Sequence, residues 1–163
     1  MTTTAIAITP PSSHARRLLT TGLLLVARLI LGGVLFYAGF LKLRAGHPFA
    51  EAIANFRMLP AQANQILAVV LPWVEVSTGL LLVFGVWVRA AGLLSVLMFS
   101  SFLVAITAAL ARGLDIECGC FGTGAAARVG LHALALDVAL LLFAAAVLYL
   151  APRKVVQSAT MPR

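Results

Sequence analysis

Cys118 and Cys120, separated by Gly119, are the only cysteines in a chain of 163 residues. Residues two apart usually hold their Cα atoms about 5 to 7 Å from each other, inside or at the edge of disulfide range, and a glycine between them relaxes the torsions that so small a ring demands. A bridge closed in this way is strained and therefore relatively oxidising. Two cysteines at one spot cannot staple a fold, so they point to local thiol chemistry. If the connecting segments share one membrane side, Lys42, Arg44, His47, Arg57, Arg112, Arg128 and His132 surround the pair and favour thiolate over thiol, with Asp115 and Glu117 opposing them. Arg128 and His132 stand four apart and share a helical face. His132 could accept or return a proton for a thiol; a helix-end histidine with no such task is the plainer reading. Two thiolates with His132 could also hold Cu(I) or part of a zinc site, but a tetrahedral zinc site needs a fourth ligand that the sequence does not plainly supply, so no metal is expected.

A second group of residues is notable for its surroundings. Arg28, Glu75 and Asp137 each lie inside a long apolar run, where a charge costs several kcal/mol unless it is paired and turned inward. Arg28, Gly32 and Gly39 fall on nearly one helical face, and Glu75, Thr78 and Gly79 on another; small residues beside the charges allow two helices to approach closely. With about 1.5 Å of rise per residue, Arg28 and Glu75 come within about 6 Å of the same depth. The sequence therefore predicts an Arg28–Glu75 pair, structural or serving a proton or quinone site. Asp137 belongs nearer the cysteine side.

The elements that must position these residues are membrane spans. The composition is 62% hydrophobic and 10% charged, with a mean hydropathy of +1.05, far from the roughly half-apolar usage of soluble domains. Four apolar runs, near 21–41, 64–86, 90–111 and 129–150, each match the roughly 20 residues that cross a bilayer. They must be helical, because backbone amides in lipid pair within the segment and none of these runs alternates as a barrel strand would. The fold class expected is an all-α integral membrane four-helix bundle forming one domain. Residues 1–17 read as a flexible N-terminal tail and 151–163 as a C-terminal tail. A cleaved signal peptide is the weaker reading of Arg16, Arg17 and the run behind them, since Arg28 interrupts that run and it continues past signal-peptide length. Between the first two spans, Gly46-His47-Pro48 opens a short helix with Phe49, Ile53 and Phe56 on one side and Glu51 and Asn55 on the other. Such a helix lies on the headgroups or caps the bundle.

Charge and topology narrow the partners. A net charge of +7 is carried by basic residues spread singly between apolar runs, which is not the clustered face of a nucleic-acid binder. The lipid bilayer is the first partner. Four spans place both termini on one side, with Arg16, Arg17, Arg89, Arg153, Lys154 and Arg163 there against Lys42, Arg44, Arg57, Arg112 and Arg128 opposite. The doublets abutting helix ends favour cytoplasmic termini. The cysteine loop then faces an oxidising compartment.

The sequence resembles the methylamine utilisation protein MauE family, part of the wider DoxX-like membrane group, from about residue 27 to 150. The likeness rests on Arg28-Leu-Ile-Leu-Gly-Gly33 with Gly39 and Lys42-Leu43, on 49–59 followed by Pro60, on Leu71-Pro72-Trp-Val-Glu75 with Gly79, and on Ala111-Arg112-Gly113 through Ile116-Glu-Cys-Gly-Cys-Phe-Gly122. The last segment is the most specific. The resemblance implies a four-helix bundle in the bacterial inner membrane that assists maturation of disulfide-rich periplasmic methylamine dehydrogenase beside a thioredoxin-like partner. In one departure, Leu136 precedes Asp137 where family members often carry Arg.

The function expected is thiol–disulfide exchange at Cys118 and Cys120 between the bilayer and a periplasmic thioredoxin-like protein. With no second internal cysteine pair, a quinone or a partner protein must take or supply the electrons. A non-catalytic assembly and docking factor is the alternative. A small proton-coupled transporter using Glu75 is a further one, but it leaves the Cys-Gly-Cys loop unused.

Overall fold

A computed structural model describes residues 13–116 and 130–151, with side chains from residue 18 onward. Five helices follow one another: α1 (Ser13–Ala45), α2 (His47–Asn55), α3 (Ala61–Phe84), α4 (Val88–Ala111) and α5 (Leu131–Leu150). No strand occurs among the described residues. Four segments are long and apolar enough to cross a membrane: Leu18–Ala45, Ala61–Phe84, Val88–Ala111 and Leu131–Leu150, with hydropathies from 2.1 to 2.4. These coincide with the four runs expected from sequence, differing by a few residues at the ends.

Burial is distributed as in a lipid-exposed bundle. Trp73, Phe84, Leu142 and Tyr149 are exposed, whereas Lys42, Glu75, Thr78, Ser95 and Asp137 are buried. In water such an arrangement would be unfavourable on both counts; in lipid, apolar surface outside and paired polar groups inside is the stable solution. Hydroxyls follow the same rule. Ser95 donates to the carbonyl of Ala91, Ser101 to that of Met98 and Thr107 to those of Leu103 and Val104, so none needs water.

The helices form two intimate pairs, α1 with α3 and α4 with α5, and α1 also packs on α5. Small residues set the closeness of the first pair. A Cβ placed on Gly32 would stand 2.8 Å from the Gly79 carbonyl oxygen, one on Gly39 would stand 2.8 Å from that of Pro72, and one on Gly79 would stand 2.7 Å from the backbone of Gly32 and Phe36. Backbones this near each other gain packing that larger side chains would forbid. The α3–α4 turn is closed by Gly85 in the left-handed region at φ 72°, where the amide of Gly85 bonds to Leu82 and that of Val86 to Leu81. That is the Schellman arrangement, which satisfies carbonyls the helix end leaves open.

The short helix between the first two spans forms as the Gly-His-Pro signal predicted. Phe49 and Ala52 are buried against the bundle while Glu51 and Asn55 face outward. It packs mainly on α3, near the end where α1 finishes and α3 begins.

Candidate functional site

The contacts between α1 and α3 fix their antiparallel register. Gly32 lies opposite Gly79 and Gly39 opposite Pro72 and Glu75. Side chains on a helix lean toward its N-terminus, so on antiparallel partners they lean in opposite directions. Lys42, just beyond Gly39, leans back into the membrane, and Glu75 leans toward it. The two meet: Lys42 Nζ donates to both Glu75 Oε1 and Oε2 at 2.7 Å, and each side chain is only 2% exposed. Charge-assisted bonds of this length to both carboxylate oxygens compensate part of the desolvation that such burial costs.

This arrangement corrects the expected Arg28–Glu75 pair. Register brings Arg28 level with Gly85, where its guanidinium occupies the space a Gly85 side chain would need. Gly85 lies about 15 Å of helix beyond Glu75. The lean of α1 side chains carries Arg28 toward that end and away from the carboxylate. Residue counting puts the two within about 6 Å in depth, whereas the register carries Arg28 to Gly85, about 15 Å of helix from Glu75, and brings Lys42 to the carboxylate instead. From sequence alone, Lys42 counts among the cations around the cysteine pair. The signal that marks it inward is its spacing: Lys42 follows Gly39 by three residues and Leu35 by seven, on the buried stripe that includes Leu31 and Leu35.

Beside the pair lies a pocket of about 270 Å³. Lys42 lines it, with its ammonium 5.6 Å from the centroid of the Phe49 ring and 5.7 Å from that of Phe102. Ile53 of α2 and Phe56 just after it, Leu67 and Leu71 of α3, and Ala105 and Ile106 of α4 supply apolar walls, and Asn64 and Ser101 are its other polar residues. Asn64 Nδ2 donates to the carbonyl of Leu59 at 3.3 Å, shaping the linker. The amphipathic helix read as a surface element is thus also a wall of the site.

The other candidates are dispersed. Asp137 is 5% exposed on α5, and its Oδ2 has no hydrogen-bond partner among the described residues. The Nε of Arg28 is likewise buried without one. His132 sits exposed in the first turn of α5. Cys118, Cys120 and Arg128 lie outside the described residues. The segment that carries the cysteines leaves α4 at Arg112, whose guanidinium donates to the carbonyls of Phe56 at 2.7 Å and Arg57 at 3.5 Å. Arg112 therefore ties the root of that segment to the linker that walls the pocket.

Four apolar spans enclosing a buried ion pair define a multi-pass membrane protein. The chain belongs to the methylamine utilisation protein MauE family, whose model matches residues 20–151. It is 36% identical over 84 residues to methylamine utilization protein MauE of Methylorubrum extorquens, covering 51% of this chain and 45% of that protein. It is 33% identical over 98 residues to its counterpart in Paracoccus denitrificans, covering 60% and 53%. The chain of Methylophilus methylotrophus is 32% identical over 95 residues, covering 58% and 50%. The matched region thus spans about half the length of these curated relatives. No solved structure matches the chain.

Proposed function

We propose that this protein is a membrane thiol–disulfide redox protein of the bacterial inner membrane, with cytoplasmic termini and with Cys118 and Cys120 as its exchanging pair on the periplasmic side. The observation that carries the reading is the tether at Arg112: it links the root of the only cysteine-bearing segment to the wall of a pocket lined by Lys42, which is paired with the buried Glu75. The names of the relatives place the family in methylamine utilisation. The task follows as assistance to periplasmic proteins that need disulfide chemistry, methylamine dehydrogenase in the family, through a thioredoxin-like partner.

In the exchange, a thiolate of the partner attacks the Cys118–Cys120 bridge and expels one cysteine as thiolate, leaving a mixed disulfide. The partner's second thiolate then attacks its own sulfur in that bond and releases the other cysteine. The partner leaves oxidised by two electrons and this chain is left as the dithiol. His132, exposed at the start of α5, is positioned in sequence to exchange protons with the departing thiols. Replacing Cys118 and Cys120 by Ser is expected to abolish function while leaving membrane insertion intact, as measured by complementation alongside membrane fractionation. Wild-type function in the double variant would overturn the reading.

A further inference from the structure

The pocket beside Lys42 combines features that a lipid chain does not need. It is apolar and aromatic, its lining includes Met58 and Leu59, 45% and 46% exposed, and yet it is also lined by an ammonium held by a buried carboxylate. An acyl chain gains nothing from that charge, whereas a carbonyl oxygen in a low-dielectric site finds in it a strong donor. The rings of Phe49 and Phe102, both within 6 Å of Nζ, offer faces on which a flat ring can pack. A volume of about 270 Å³ lies just under the usual small-ligand range of about 300 to 1,000 Å³ and suits one ring with the root of a tail.

We propose that this pocket binds the ring of a lipid-soluble quinone, one carbonyl oxygen accepting a hydrogen bond from the Lys42 ammonium that Glu75 holds in place. The catalytic use of the site rests on the thiol–disulfide reading. In that use the thiols of Cys118 and Cys120 lose two electrons and two protons and form one S–S bond, while the quinone gains both electrons and both protons and departs into the bilayer as the quinol. The binding itself requires only Lys42 and the apolar walls.

The test is photolabelling of the full chain in lipid nanodiscs with an azido derivative of a short-tailed benzoquinone, followed by peptide mapping. Label is expected in peptides covering 49–58 and 101–106, suppressed at least tenfold by excess unlabelled quinone. Ala105→Trp, which narrows the pocket and leaves Lys42 and Glu75 unsubstituted, is expected to reduce the label to a similar extent. Label spread over all lipid-facing segments and indifferent to competitor would overturn the proposal. So would displacement of the quinone by a fatty acid that labels the same peptides. The same labelling of the Cys118→Ser, Cys120→Ser variant separates the two claims. Quinone capture without thiol cycling in the wild type keeps the pocket assignment and removes the redox reading, and thiol cycling without quinone capture does the reverse.

Discussion

Lys42 and Glu75 hold each other inside a bundle where neither charge would be stable alone. Removing one partner strands the other, at a cost of about 3 to 5 kcal/mol, whereas removing both exchanges a buried pair for apolar packing and is much milder. Lys42→Leu and Glu75→Leu should each lower stability in detergent by that order, and the combined variant by clearly less than their sum. Additive effects in the denaturation cycle would mean that the two residues do not interact. Arg28→Leu provides the contrast. Because its guanidinium lies against Gly85, its effect should add to that of Glu75→Leu without coupling. Of this site the sequence makes Glu75 legible, because a carboxylate within an apolar run announces itself. It hides the partner, because a lysine three residues from a helix end reads equally well as a headgroup anchor that snorkels outward. The lean of its side chain along an antiparallel neighbour decides the matter, and that requires a register which spacing alone does not supply.

At the scale of elements, the α1–α3 pair depends on backbone contact at glycines. Gly79→Ala would place a methyl group within 2.7 Å of the Gly32 oxygen and the Phe36 nitrogen. Atoms of the backbone cannot step aside as a flexible side chain can, so overpacking of about 1 to 3 kcal/mol is expected, with weakened coupling of Lys42 to Glu75. Gly33→Ala, with nothing within 4 Å of its added Cβ, should leave thermal stability unchanged or slightly raised. Equal losses in the two variants would show that helix propensity rather than close approach sets the effect. The spans themselves were fully legible, since an apolar run of about 20 residues has one stable solution in lipid. The role of α2 was half legible. Its amphipathic pattern gives the faces correctly, with Phe49 inward and Glu51 outward, but the same pattern serves a helix on headgroups and one that walls a pocket. Only the packing of α2 on α3 beside Lys42 distinguishes them.

For the molecule as a whole, Arg112 links the end of α4 to the linker that walls the pocket, and the proposed thiol chemistry makes that link testable. Arg112→Ala should leave the four spans inserted and slow exchange with an added thioredoxin-like dithiol, measured by stopped-flow under single-turnover conditions; an unchanged rate would detach the linker from the chemistry. Orientation is testable in parallel. A membrane-impermeant maleimide should label reduced Cys118 or Cys120 in intact spheroplasts, and labelling that appears only after permeabilisation would move the pair to the cytoplasm, where a stable disulfide is unexpected. The most direct measurement is acid-quenched thiol trapping of Cys118 and Cys120 in native membranes, followed by mass spectrometry. The two sulfurs are expected to be trapped as a disulfide at rest, to become two alkylated thiols after addition of a reduced thioredoxin-like protein, and to return to the disulfide when that protein is removed. Thiols that stay alkylatable, or a bridge that stays closed, through the whole sequence would contradict it.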